Sequence, residues 1–275
     1  MATATVNPAA RPAVARPGRK LPRGFLGAVG VVGFLSLWEL LPRTSLVDAR
    51  YLPPTSEVFA AFSHLAQRLP FWAAVADTMT IWAIGLLISA ILGILTGFAI
   101  GSSAFMRRFT RSTIEFLRPI PSVALIPAAV LVFGVGMPPA VLLVVYACFW
   151  QILIQVLYGV ADKDAVAIST ARSFGLARMA RIRYVILPTT LPYLFTGLRI
   201  AASTALILAI TAGLIIGSPG LGREIARAQS SGAVASMLAI VVVAGFIGVV
   251  INLMFRGLEK RVLSWHSSVR SEVDA

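Results

Sequence analysis

The residues that usually carry enzymatic chemistry are few in this chain of 275 residues, and their spacing matches no common catalytic device. A phosphate-binding loop, G-x4-G-K-[ST], needs a lysine after a glycine, and no lysine follows a glycine here. Metal sites need clustered ligands, whereas both histidines and the single cysteine lie far apart. The residues concerned are Lys20, Lys163, Lys260, His64, His266 and Cys148. The chain is therefore predicted not to be an enzyme, with no metal site and no cofactor of its own.

A short basic segment, residues 164–188 (DAVAISTARSFGLARMARIRYVILP), lies between long hydrophobic runs. Asp164 is a favourable N-cap, the residues from 165 to 174 contain no helix breaker, and Gly175 suits the left-handed position that ends a helix. We predict a short helix, a glycine turn and a second helix ending at Pro188. Its cationic side chains are Arg172, Arg178, Arg181 and Arg183. Such a compact charged element is suited to docking, although an ordinary polar loop is the alternative.

The spacing of Gly175, Val185, Leu187 and Pro188 closely resembles the EAA loop (E-A-A-x3-G-x9-I-x-L-P) of bacterial ABC-importer permease subunits. The Glu-Ala-Ala of that family falls on Ser169, Thr170 and Ala171, so only the second alanine is kept. Three further segments resemble the nitrate, sulfonate and taurine branch of the family. They are LPPTSEVFAAF (52–62), RPIPSVALIPAAVLVFGVG (118–136) and LPYLFTGLRIA (191–201). The resemblance covers most of residues 50–262.

The resemblance implies a coupling helix that sits in a groove of a separate ATPase subunit and transmits its closure. The resemblance also implies two ATPase subunits that bind ATP and Mg²⁺, and a second copy of the permease that forms a homodimer with this chain. An extracytoplasmic solute-binding protein is the remaining expected partner. The residues that would carry coupling are Asp164, Ser169, Thr170, Ala171, Arg172, Phe174, Gly175, Val185, Leu187 and Pro188. The missing EAA glutamate removes at most a partly exposed ion pair, worth about 0.2–1 kcal/mol, so docking is expected to survive.

Polar side chains inside the hydrophobic runs are the candidates for a solute path. Gln151 and Gln155 are four residues apart and therefore share a helix face. A proline inside a membrane helix also frees a backbone carbonyl that a wet cavity can satisfy. The candidate set is Gln151, Gln155, Thr204, Thr211, Asn252 and Pro127. Hydrogen bonds between helices and a plain kink are the alternatives. Gln151 occupies a position where members of the family often have proline, and no carboxylate lies between residues 200 and 222, where the family often has an acidic residue. Because of these two differences, the resemblance does not identify the solute.

The composition predicts an all-α integral membrane protein, because 58% of the residues are hydrophobic and the mean hydropathy is +0.87. We expect a basic disordered tail at 1–23, a six-helix permease domain at 24–262 with its coupling loop at 159–190, and a tail at 263–275. The expected spans are 24–41, 77–101, 120–139, 140–158, 191–216 and 233–255. An amphipathic surface helix is expected at 53–69 and a glycine-rich outer loop at 217–232. A signal peptide is the alternative for the first apolar run.

Five small residues recur every fourth position along the second expected span, namely Gly85, Ser89, Gly93, Gly97 and Gly101. Small residues at this spacing let two membrane helices approach closely. We therefore predict that this stripe packs against another helix.

The distribution of positive charge predicts the orientation. With both termini in the cytoplasm, 18 of the 24 Lys and Arg residues lie in cytoplasmic segments, five lie outside and one, Arg199, lies within a span. Basic residues concentrate on the cytoplasmic side of membrane proteins, so this orientation is favoured in a bacterial inner membrane. The net charge of +13 therefore reflects topology rather than nucleic-acid binding.

The predicted function is that of an ABC-importer permease for a small solute, such as nitrate, a sulfonate, a taurine-like compound or another small organic nutrient. The alternative is a gradient-driven carrier or channel without ATPase partners. Such carriers usually need ionisable groups in the membrane, and only Glu39 and Arg199 lie within spans, near their ends. A membrane anchor without a transport role is a third possibility.

Overall fold

A computed structural model describes residues 23–162 and 165–264, and within these ranges the chain is helical or in turns, with no strand. Most of the two predicted tails lies outside the described residues, and so does Asp164. The chain divides into two compact units, residues 1–55 and 56–275, which are described separately. The all-α fold class is confirmed.

The first unit contains α1, Arg23–Arg43, and the segment that follows it. The indole N–H of Trp38 donates to the carbonyl of Pro53 at 3.1 Å, and the hydroxyl of Thr55 donates to the Glu39 carboxylate at 2.6 Å. Glu39 also pairs with Arg43, one turn along the helix. Glu39 is thus engaged in local contacts at the end of α1, as expected for an interfacial charge.

Among its described residues, the second unit contains ten helices with short connections. They are α2 Thr55–Ala66, α3 Leu69–Gly101, α4 Ala104–Leu117, α5 Ile126–Phe133, α6 Met137–Ala161, α7 Ala165–Ser173, α8 Arg178–Arg181, α9 Leu187–Ile216, α10 Leu221–Ser230 and α11 Val234–Val262. A 3-10 turn, Ser122–Leu125, precedes α5, and a π-helical stretch, Ile182–Ile186, joins α8 to α9. The amphipathic helix expected at 53–69 is confirmed by α2.

Five described helices are long and apolar enough to cross a membrane. They are Phe25–Arg43, Leu69–Gly101, Met137–Ala161, Met179–Ile216 and Val234–Val262. A sixth span exists only if α4 and the helical residues Ser122–Phe133, which are bent by 79° at their junction, count as one. The structure therefore supports five spans, or the predicted six if this bent pair forms one broken span.

The third span differs from the expected helix over 120–139. The helical residues from 122 to 133 number only twelve, too few to cross a bilayer whose thickness needs about 20 residues. The bend lies at Pro119 and Pro121, neither of which has an N–H to continue the hydrogen bonds of α4, and Pro121 has extended backbone. The helix is also interrupted next to Pro127, as expected, because the 3-10 turn ends there and Pro127 lies in the first turn of α5, where its missing N–H costs little. The Val123 carbonyl that the proline leaves free accepts the N–H of Ile126.

The second basic helix does not end at Pro188 as expected. Helical backbone continues from Met179 to Ile216, so the fifth span begins well before residue 191. The π-helical stretch explains how the proline is accommodated, because it widens the helix just before the ring and the N–H of Leu187 donates five residues back to Ile182. The hydroxyls of Thr189 and Thr190 bond to carbonyls in the same turn.

The stripe of small residues on α3 packs against α6, as predicted. Gly85, Gly93, Gly97 and Gly101 each lie so close to α6 that an added Cβ would meet an isoleucine or valine side chain at 3.0 Å or less. Ser89 is fully buried and donates to the carbonyl of Gly85. These contacts bring the two helix backbones together along most of their length.

The segment expected to be an outer loop, 217–232, contains helix α10, so that prediction was wrong in its central part. Gly217 takes left-handed backbone (φ +76°) that ends α9, and Gly220 (φ +130°) lies against the Thr78 hydroxyl. That hydroxyl accepts the N–H of Leu221 at 2.8 Å and so caps α10 from α3. Gly222 lies against the α9 backbone. The glycines thus fold a short helix back onto the bundle.

Candidate coupling element and solute path

The turn after α7 has the glycine-capped geometry that the sequence predicts. Gly175 has φ +72°, its N–H donates to Arg172 at 2.9 Å, and the N–H of Leu176 donates to Ala171 at 3.0 Å. This pair of hydrogen bonds is the Schellman motif, which satisfies the last carbonyls of a helix. The helix–turn–helix expected over this segment is confirmed in its geometry, while Asp164, its predicted N-cap, lies outside the described residues.

The coupling element, which we define as residues 165–187, presents polar and apolar side chains outwards. Ser169, Thr170 and Arg172 are exposed, whereas Ala171 is buried. The side chain of Phe174 is 80% exposed. The aromatic ring at the tip of this turn is therefore accessible to a partner.

Sequence reasoning missed further apolar side chains on the same element. Val166, Met179 and Tyr184 are all more than two thirds exposed. Val185 and Pro188 are half-buried, and Leu187 is partly exposed. Hydrophobic residues in a basic segment are a weak sequence signal, because their exposure depends on which way each helix turns.

The two ends of the coupling element lie next to a close contact between α6 and α9. An added Cβ at Gly159 would lie 2.9 Å from the Cα of Thr190, so the two backbones almost touch there. The Tyr193 hydroxyl donates to the Asp162 carboxylate at 2.6 Å. The end of α6 and the beginning of α9 are therefore held together directly beside the element.

Of the predicted path residues, the structure brings Gln151 and Thr204 together. The Gln151 Nε2 group donates to the Thr204 hydroxyl at 3.0 Å across α6 and α9. The Oε1 atom of Gln151 is buried and has no hydrogen-bond partner among the described residues. Gln155 follows one turn later and packs against Gly197. Cys148, on the same seam, is buried and its thiol donates to the carbonyl of Ala201, consistent with packing.

The other predicted path residues make no hydrogen bond to this pair in the part of the chain that the structure describes. The hydroxyl of Thr211 donates to Ile207 in its own helix, Asn252 is half-buried on α11, and Pro127 is exposed on α5. Sequence reasoning also missed an ion pair, Arg199 to Glu259 at 3.2 Å, which joins α9 to α11. No group of His, Cys, Asp or Glu suited to a metal occurs among the residues the structure covers.

The comparisons with known proteins agree on the family. The model of the family described as "Binding-protein-dependent transport system inner membrane component" matches residues 89–264. The taurine transport system permease protein TauC of Escherichia coli (strain K12) is 30% identical over 250 residues, which are 89% of this chain and 90% of that protein. The nitrate import permease protein NrtB of Leptolyngbya laminosa is 28% identical over 253 residues, 90% of each chain.

Among solved structures, a bacterial ABC transporter involved in the import of the acidic polysaccharide alginate superposes with a TM-score of 0.63. The match covers 87% of this chain and 99% of that one at 15% identity, so it supports the fold alone. The long apolar helices and the family together identify a multi-pass protein of the bacterial inner membrane and a transport subunit rather than an enzyme. The chain belongs to the family of binding-protein-dependent inner-membrane transport components, as a permease subunit of an ABC importer.

Proposed function

We propose that the coupling element docks on a separate ATPase subunit and transmits its ATP-driven closure to α6 and α9. The observation that carries this proposal is the capped turn at Gly175, with the exposed Phe174 at its tip, on a base where α6 and α9 almost touch. A partner that grips the tip would gain apolar contact there. The ten residues of the EAA-like segment named above would form the docking site, with ATP and Mg²⁺ held by the partner.

The close contact between α6 and α9 beside the coupling element favours a rigid rather than a flexible connection between the element and these helices. The contact of Gly159 with Thr190 and the hydrogen bond of Tyr193 to Asp162 link both ends of the element to long helices. A displacement of α7 would therefore reach α6 and α9 together. Because the Gln151–Thr204 bond joins the same two helices further along, the movement would pass through the candidate solute path.

The solute that fits best is a small polar nutrient, such as the taurine or nitrate that the names of the two relatives specify. The buried Oε1 of Gln151 is an unsatisfied acceptor and would accept from an amino group or from water accompanying the solute. Gln155, Thr204, Thr211, Asn252 and Pro127 complete the proposed path.

The assembly would contain two permease copies, two ATPase subunits and an extracytoplasmic solute-binding protein. Both termini of this chain and the coupling element would lie in the cytoplasm, since the positive charge is concentrated on that side. The binding protein would approach the opposite side, near α2 and α10.

The experiment replaces Gly175 by Val and, as a matched control, by Asn. No atom lies within 4 Å of a Cβ at this position, so any effect comes from the backbone and not from a clash. Left-handed backbone costs an ordinary residue about 1–2 kcal/mol, whereas Asn tolerates it. We expect Gly175→Val to lose most ATP-driven uptake in proteoliposomes while membrane insertion stays intact, and Gly175→Asn to keep most of it.

A second variant tests docking without changing the backbone. Phe174→Ser alters an exposed tip, so it should leave thermal unfolding unchanged and reduce co-purification of the ATPase subunit. Full uptake by Gly175→Val, together with normal ATPase retention by Phe174→Ser, would refute the proposed coupling role.

A further inference from the structure

A cavity of about 570 Å³ lies between α4 and the ends of α3 and α6. We infer that it binds the headgroup of an anionic phospholipid. Its position is at the same end of the bundle as the coupling element, because Gly101 is the last residue of α3 and packs against Val160 near the end of α6. With the orientation proposed above, this is the cytoplasmic leaflet.

One wall of the cavity is strongly basic. Arg107, Arg111 and Arg118 lie at intervals of four and seven residues, so their side chains fall on one side of α4. Glu115, paired with Arg111 at 2.8 Å, offsets one of the three charges. A guanidinium presents a planar fork of N–H donors that matches a phosphate group.

Arg118 is the arginine best able to bind a ligand. Arg107 donates to the carbonyl of Gly101 and Arg111 is paired with Glu115, so both have a structural role within the chain. The guanidinium of Arg118 has no ion pair or hydrogen bond to any residue that the structure describes. It thus keeps all its donors for a bound anion.

The facing wall is apolar, and this favours a lipid over a small soluble anion. Ile100 of α3 and Ile154, Leu157 and Tyr158 of α6 line the side of the cavity formed by the other two helices, and Ile114 lies among the arginines on α4. A hydrated anion gains nothing from such a wall, whereas a phospholipid places its phosphate on the arginines and the start of its acyl chains on the aliphatic side chains. Basic pockets between membrane helices are known to recognise anionic headgroups in this way.

The outer side of α4 has the character of a membrane-interface helix. Phe105, Phe109 and Phe116 lie on the side opposite the arginines, all are exposed, and the first two rings stack at 6.0 Å. No residue of α4 is buried. An aromatic face combined with an arginine face is typical of helices that lie in the interface and are held there by anionic lipid.

The test is native mass spectrometry of the purified full-length transporter titrated with phosphatidylglycerol or with phosphatidylcholine. The wild type should retain phosphatidylglycerol preferentially. Arg118→Gln should weaken that retention about tenfold or more, because it removes charge-assisted hydrogen bonds to the phosphate, which contribute about 1.5 kcal/mol or more each. Arg108→Gln is the matched control, because Arg108 lies on the same helix outside the cavity and should change retention less than twofold.

Three results would overturn the inference. Equal retention of both lipids by the wild type would mean that charge is not recognised. An equal loss in Arg118→Gln and Arg108→Gln would mean a general surface effect. Displacement of the lipid by millimolar inorganic phosphate, taurine or nitrate would assign the cavity to a soluble anion instead. Uptake is not the readout, so failure here is distinguishable from failure of the proposed coupling role.

Discussion

The contact between α3 and α6 allows one prediction to be worked through quantitatively. At Gly85 an added Cβ would lie 2.4 Å from Val144 Cγ1, about 1 Å closer than the shortest ordinary van der Waals contact of 3.4 Å. Val144 is fully buried, so its branched side chain has little space to move. Overpacking of this kind costs about 1–3 kcal/mol, while helix propensity favours alanine over glycine by about 1 kcal/mol. Gly85→Ala should therefore destabilise the fold by about 0–2 kcal/mol, which is roughly 1–3 kcal/mol worse than a Gly→Ala change without a clash.

The assay is unfolding of the purified permease in mixed micelles, followed as a double-mutant cycle. Val144→Ala removes Cγ1, the nearest atom to an added Cβ at Gly85, but keeps the Val144 Cβ at 2.7 Å, so the clash is relieved in part. The double variant should therefore lose less stability than the two single variants combined, by about 0.5–1 kcal/mol. Gly245→Ala on α11 is the control, because nothing lies within 4 Å of a Cβ there and helix propensity alone predicts no loss. The reasoning is refuted if Gly85→Ala is as stable as Gly245→Ala, or if the cycle shows no coupling.

Two further predictions concern α10 and the solute path. Gly222→Ala places a Cβ 2.0 Å from the carbonyl oxygen of Ile210, a backbone atom that cannot turn away, so we expect a loss of about 3 kcal/mol or more in the same unfolding assay. A loss below 1 kcal/mol, roughly, would contradict the packing of α10 on α9. Gln151→Leu should change stability by at most about 1 kcal/mol, since it removes one hydrogen bond, yet lower uptake about tenfold. Unchanged uptake would remove Gln151 from the path.

The features that the sequence predicts well are local ones. The spans follow from continuous hydrophobic runs, and the left-handed turn at Gly175 follows from a helix-forming segment ending in glycine. The stripe of small residues from Gly85 to Gly101 likewise predicts a close contact between helices, because only small residues allow two helix backbones to approach closely. Each of these signals lies within a few residues of the structure that it specifies.

The features that the sequence did not predict depend on contacts between distant residues. In the sequence, Gly222 belongs to a glycine-rich segment that resembles a loop, and only its contact with the α9 backbone in the structure explains the glycine. The cap of α10 comes from Thr78, which is 143 residues away. The pairing of Arg199 with Glu259 spans 60 residues. The continuation of the helix through Pro188 requires a π-helical turn, for which the sequence offers no simple pattern.

The seam between α3 and α6 limits how this protein can change shape. The two helices pack closely at four glycines, so neither can slide along or move away from the other without losing contacts over most of their length. Any cycle of opening and closing must therefore carry α3 and α6 as one rigid body. The bent pair formed by α4 and α5 has few buried side chains to hold it, so the hinge of the cycle is best sought at the bend after residue 117.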